Sequence, residues 1–238
     1  RPGRERLKAT GADAEHRKYW WRFANVRKEL RDRASEVPRL LATARVSKHS
    51  TFAFVPANWT PSEQVVVFPL PSFTAFAVLQ SRVHRVWVEL QATHMGEGIR
   101  YSASECFATF PFPDRDPRAE LPALEEIGRR LYESRAEFMR ERQIGLNQTY
   151  NLLGDPGEND EEIADLRTLH GELDAAVLGA YGWSDLAVPP TGEDERAFED
   201  AVAGRLFAQN QRRAEAGREA ESAGTGGSEV TKAIGPGP

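Results

Sequence analysis

Eight side chains in the first half of the sequence have the chemistry to hold a polyanion: Arg45, Lys48, His49, Arg82, His84, Arg85, Arg100 and Tyr101. An arginine fork donates two hydrogen bonds to the O6 and N7 edge of a guanine. A lysine ammonium serves phosphate as a point charge, and a tyrosine ring packs or stacks. Arg45, Lys48 and His49, with Ser47 and Ser50 among them, come just before an alternating apolar run. Polar basic residues at a strand mouth suit phosphate, and they are as common on a plain solvent loop, so this group alone leaves both readings open.

The stretch that must position most of them covers residues 68–113. Phe76, Leu79, Val83, Val86 and Leu90 recur at steps of three and four, which predicts one amphipathic helix with a buried stripe. Ser81, Arg82 and Arg85 fall off that stripe, so Arg82, His84 and Arg85 are expected on a solvated outer face. On that placement Arg82 and Arg85 could become alanine without unfolding the chain. Ahead of the helix, residues 44–56 alternate Thr51, Ala53 and Val55 with Phe52 and Phe54, a strand bounded by Pro56. Residues 64–70 predict a second strand, apolar on both faces and so interior. Residues 93–98 are expected as a loop and residues 100–110 as a third extended piece, closed by Phe-Pro-Phe-Pro, which cannot donate a full ladder.

An earlier helix starting at Asp13 is expected from Tyr19, Phe23, Val26 and Leu30, with Pro38 as its stop. Trp20 and Trp21 beside Arg22 fit either a base-stacking platform or core packing. After residue 118 the pattern turns helical. Leu124, Ile127, Leu131 and Phe138 line a helix over 119–142, with Glu125–Arg129 and Glu126–Arg130 as outside pairs. Residues 147–159 read as a loop. Asn159 with Glu162 fits a capping box for a helix carrying Ile163, Leu166, His170, Leu173 and Val177, which Gly182 closes. His170 is expected in the core, and a last helix covers 193–220.

These elements predict an α+β chain: a linker over 1–15, a small mixed α/β recognition domain with few strands over 16–113, a helical C-terminal domain over 114–220, and a disordered tail over 221–238, rich in Gly, Ser and Pro. With 238 residues, 40% hydrophobic and 28% charged, the chain can bury a core. The absence of a long apolar run or a signal peptide, together with a lone Cys106 placed as a core filler, fits a cytoplasmic protein with no membrane partner. The chain starts with Arg, and its opening dozen residues read like the middle of a longer protein. The net charge is −5, yet from His16 to Ser50 ten lysines and arginines stand against three acids, roughly +7 in that window. The balancing acids lie mostly beyond residue 120, so an anionic ligand is expected for the first part only.

Several activities lack their residues. There is no Gly-x-Gly-x-x-Gly, no phosphate-cradling Gly-x-x-x-x-Gly-Lys, no Gly-x-Ser-x-Gly, no Asn-Pro-Pro-aromatic run and no nuclease-type Asp followed by Glu-x-Lys. The five histidines are scattered at no metal-ligand spacing. No catalytic residue, cofactor site or metal site is expected in this chain.

Six segments, in order, resemble the C-terminal part of large bacterial adenine-specific DNA methyltransferases: YWWRF (19–23), RVSKHSTFAFVP (45–56), VLQSRVHRVWVEL (78–90), IRYSASECFATFPFP (99–113), TYNLL (149–153) and LRTLHGELDAAVLGAYGWSDL (166–186). GRLFAQNQRRAEA (204–216) looks like their closing helix. These enzymes belong to single-chain restriction-modification systems of Type IIG and Type IIL and to phage-defence islands. The resemblance covers residues 16–216. It implies a target-recognition domain with a helical spacer, reading double-stranded DNA. In the parent, a preceding domain would bind S-adenosylmethionine and flip out the adenine. The eight basic and aromatic residues are then the candidate DNA contacts. The alternative is a non-catalytic helical protein-interaction module whose basic face meets an acidic partner.

Overall fold

The computed structural model describes residues 28–96, 98–190 and 195–226. Trp20, Trp21 and most of the first expected helix lie outside these residues, and its last turns are α1 (Lys28–Ser35). Strands β1 (Arg39–Ala44), β2 (Val46–Ser47), β3 (Phe52–Pro56) and β4 (Val65–Phe68) follow. Helices α2 (Phe73–Gln80) and α3 (Arg82–Gln91) come next, then strands β5 (Thr93–Met95) and β6 (Gly98–Arg100). A π-helical turn at Ala103–Phe107 leads to α4 (Pro122–Glu141), α5 (Leu146–Leu153), α6 (Glu161–Ala180) and α7 (Arg196–Gly226). The chain is α+β, with two small antiparallel sheets backed by helices.

The first sheet has the order β3-β1-β4, with Leu41 opposite Phe54 on one side and Phe68 on the other. Its central strand, RLLATA, has no alternation to announce it. Leu and Ala are good helix formers, and the strand is buried on both faces from Leu40 to Thr43, so periodicity carries no signal. The β4 strand, expected in the interior, is an edge strand that alternates half-buried and buried positions.

The single helix expected over residues 76–90 is two helices. Ser81 has extended backbone (φ −68, ψ 157) and serves both as the C-cap of α2 and the N-cap of α3. Its Oγ donates to the Val78 carbonyl (2.7 Å) and accepts from the His84 amide (3.3 Å). Ser81 is therefore inside, while Leu90, expected in the buried stripe, is 49% exposed. The bend lets α2 bury seven of its eight residues. It also turns α3 by its own cap rather than by a proline or glycine.

The segment 93–98, expected as a loop, supplies two strands of the second sheet, of order β2-β6-β5. Gly96 sits between them at φ +63, a backbone region that costs a side chain energy. The piece expected to be extended over 100–110 winds instead into the π turn, with the Ala108 amide bonded to the Ala103 carbonyl (2.9 Å). Helix α5 takes the first half of the loop expected at 147–159, and residues 154–159 are irregular as expected. Asp160 rather than Asn159 caps α6, accepting from the amides of Glu162 (3.0 Å) and Ile163 (3.4 Å). Gly182 ends α6 at φ +73, as expected. Helix α7 continues past residue 220, and residues 227–238 lie outside the described residues.

One core runs from Leu41 and Phe52 through Phe76, Val83 and Trp87 to Leu131, Leu173, Val177 and Leu206. It crosses residue 113 without a break, because α2 lies directly against α4. At the crossing a Cβ on Gly128 would fall 2.5 Å from the Phe73 carbonyl oxygen. Glu125, expected to pair with Arg129, instead turns inward and accepts from the Thr74 amide (2.7 Å) and hydroxyl (3.0 Å) at the start of α2. A carboxylate is well placed at that positive helix end.

Two outcomes check this packing. Gly128→Ala should destabilise the chain by about 1–3 kcal/mol in denaturant unfolding, because backbone must shift to admit the methyl group. Stability should also fall with acid. Burial drives the His84 imidazole down from 6.5 to about 4. His170 falls to about 3 through burial and the nearby Arg135, Arg82 and Arg85. Both rings stay neutral in the fold while the unfolded chain takes up protons below its own pKa. The contribution is whole above pH 6.5 and is lost as pH drops toward 4, about 3 kcal/mol for His84. A His84→Asn variant should lose less stability than the unaltered chain between pH 7 and pH 4, as read from denaturant midpoints.

Candidate nucleic-acid interface

The eight basic and aromatic residues divide into a covered group and an open one. Arg82, His84 and Tyr101 are covered, and Arg85, its side chain 38% exposed, is held in ion pairs. The outer face expected for α3 packs under α7. There the Arg82 Nε meets Asp174 Oδ2 at 2.5 Å, its amide meets Asp174 Oδ1 at 2.7 Å, and its Nη1 meets Glu195 at 2.9 Å. Arg85 pairs with Glu195 and, at 3.1 Å, with Glu199. Burial pushes the Asp174 carboxyl upward, and Arg82 pulls against it. Burial also works to lower the Arg85 guanidinium, but Glu195 beside it leads the carboxylates that leave it raised.

His84 is wholly buried. Its Nδ1 lies 2.9 Å from the Leu79 carbonyl and must donate there, which leaves Nε2 to accept from the Tyr101 hydroxyl at 3.4 Å. Tyr101 stands edge-on to Phe52, ring centroids 5.8 Å apart. The exposed face expected for these residues is thus corrected: the acids of α6 and α7 complete the α3 arginines from above. The amphipathic pattern around Arg82 was real, but a second helix with matching carboxylates covers its polar side.

Arg45, Lys48, His49 and Arg100 form the open group. Strand β1 passes from the first sheet into the second at Arg45. Both backbone groups of Arg45 are bonded, its amide to the Gln64 carbonyl (2.8 Å) and its carbonyl to the Tyr101 amide (2.8 Å). Its Nε donates to the Glu63 carbonyl (2.7 Å), which ties the side chain to the turn before β4. In the second sheet Arg100 pairs with Val46 on one side and with Thr93 on the other. Directly opposed residues share a face, and all three are exposed, so that face looks to solvent. Ile99, on the reverse face, packs against the core.

Lys48 and His49 follow β2, and both reach one acceptor. The Lys48 Nζ and the His49 Nε2 each lie 3.0 Å from Asn151 Oδ1 on α5. Among the described residues, Arg45, Lys48 and Arg100 have no carboxylate in ion-pair range. Elsewhere the surface has the opposite sign. A groove of about 440 Å³ between α4 and α6 is lined by Glu137, Glu141, Glu162, Asp165 and Glu172. Among the described residues no group of three or more His, Cys, Asp or Glu is placed to hold a metal ion. None of their helices is long and apolar enough to cross a membrane.

Residues 3–114 match the model of the family described as MmeI, target recognition domain. DNA methyltransferase A of Bacillus subtilis (strain 168) is 34% identical over 105 residues, which are 44% of this chain and 10% of that protein. The chain is also similar in fold to the Type IIL restriction-modification enzyme MmeI, solved in complex with DNA. The TM-score is 0.59 at 22% identity, covering 89% of this chain and 25% of that one. The chain thus spans only a tenth and a quarter, respectively, of the proteins it matches.

The buried pairs set the outcome of removing Arg82. Arg82→Ala leaves the buried Asp174 without its guanidinium and Glu195 with Arg85 alone, so the chain should lose about 3–5 kcal/mol. Urea unfolding followed by circular dichroism checks it, and an unchanged midpoint would show that the pairs contribute nothing.

Proposed function

We propose that this chain is the DNA-reading part of a bacterial site-specific adenine-N6 DNA methyltransferase of a restriction-modification or phage-defence system, acting on double-stranded DNA in the cytoplasm. One observation carries the reading: among the described residues Arg45, Lys48 and Arg100 have no carboxylate in ion-pair range and stand on or beside one small sheet with an exposed face, whereas the α3 arginines are neutralised. The likeness to MmeI, solved with DNA, and the identity to a DNA methyltransferase support it.

Size fits too. Three strands at about 4.8 Å spacing span roughly 10 Å, against about 12 Å for the major groove of B-form DNA. Arg100 at the centre of the exposed face would meet base edges, with Val46 and Thr93 beside it offering methyl groups. Arg45 and Lys48 would hold the phosphates on either side. Methyl transfer belongs to an upstream domain of the parent, which would bind S-adenosylmethionine. The chain has no Asn-Pro-Pro-aromatic run, and no residue here is assigned to that group.

Fluorescence anisotropy with a labelled duplex tests the proposal. The chain should bind, and a duplex bearing the preferred site should compete better than a scrambled one. Arg100→Ala should reduce that preference by about ten-fold while leaving the unfolding midpoint in place. Equal competition by every duplex, or by an acidic protein, would favour a basic protein-interaction face instead.

A further inference from the structure

The open cations do not end where the family match ends. Lys48 and His49 converge on Asn151, which lies in α5, well beyond residue 114. The chemistry of the three side chains fixes their roles. Lysine has no acceptor, so the Asn151 atom facing the Lys48 Nζ must be the carbonyl oxygen. The same oxygen lies 3.0 Å from the His49 Nε2, so that nitrogen donates as well. The Asn151 amide nitrogen then keeps both of its protons, and among the described residues it has no partner. Asn151 is exposed, and α5 beneath it is held firmly. The neighbouring Tyr150 hydroxyl accepts from the buried Arg135 (2.9 Å) and lies 3.2 Å from the His170 Nε2. The His49 ring leans on Tyr150, centroids 6.0 Å apart.

We propose that Asn151 is a DNA-binding residue of the helical region: its carbonyl sets Lys48 and His49 side by side, and its free amide protons and the Lys48 ammonium together hold one backbone phosphate. The inference rests on the DNA-reading proposal above. The phosphate site is composite, with cations from the recognition segment and the aligning amide from α5. An amide that orients an ammonium spares the ordering cost of a long flexible side chain at the moment of binding.

Asn151→Asp separates the roles. It keeps an oxygen for Lys48 and His49 but removes the amide protons and places a negative charge where the phosphate would sit. In anisotropy titrations of the whole chain from about 50 to about 200 mM salt, it should weaken duplex binding at least about ten-fold and make the dependence of log affinity on log salt shallower by about one. Circular dichroism should show the same unfolding midpoint. Should that variant fail to fold, Asn151→Ala and Lys48→Ala, singly and together, decide instead. The double variant should lose less than the two single losses combined. Additive losses would overturn the proposal. So would an Asn151→Asp chain with unaltered affinity and salt slope while Lys48→Ala and Arg100→Ala still weaken binding, a result that would leave the DNA reading standing. If the unaltered chain binds no duplex, the DNA reading falls first and this site with it.

Discussion

A guanidinium sits at the centre of the molecule with no carboxylate in ion-pair range among the described residues, and much of the rest depends on satisfying it. Arg135 of α4 is 2% exposed. It donates to the Phe52 carbonyl (2.7 Å), the Gln80 side chain (3.1 Å) and the Tyr150 hydroxyl (2.9 Å). Gln80 also accepts from the Phe52 amide (2.9 Å), so sheet, α2, α4 and α5 are bonded through one cluster. A buried cation left without acceptors is costly, which makes the three partners conditions of the fold and not additions to it. Phe76 offers its ring face to the same guanidinium, with Cζ 5.1 Å from its centroid.

From this hub the two ends of the chain become one body. Glu125 closes the start of α2 from α4, and Asp174 and Glu195 close the polar side of α3 from α6 and the start of α7. Charge is therefore divided by position. Arg82 and Arg85 join helix to helix, whereas Arg45, Lys48 and Arg100 stay open around the small sheet. The groove between α4 and α6 is lined by five acids against Arg130, a balance that disfavours a polyanion there.

What the sequence made legible was local. The strand around Phe52 and Phe54, the long helices over 122–141 and 161–180 and the Gly182 stop follow from period and capping, and each is present, while His170, expected in the core, is half-buried and bonded to Tyr150. The central strand at Leu40–Thr43 escaped because burial on both faces erases alternation. The break at Ser81 escaped because a stripe of steps three and four continues across it, and a serine inside a helix is no strong stop. Of the candidate contacts, Arg45, Lys48, His49 and Arg100 were recognisable as exposed basics beside strands. Arg82 and Arg85 were not recognisable as paired, because their acids lie about 90 to 115 positions later in the chain, nor His84 as buried, because the break at Ser81 turns it inward. Asn151 carries no signal in sequence at all: a lone asparagine in a short helix becomes meaningful only when Lys48 and His49 arrive beside it.

The second sheet has a consequence for how such a protein can change. Its strands are only two or three residues long, and its exposed row, Val46, Thr93 and Arg100, touches neither the arginine hub nor the ion pairs beneath α7. Substitutions along that row leave the interior untouched, so the rim can drift while the body stays constant. The architecture separates what a lineage may vary from what it must keep.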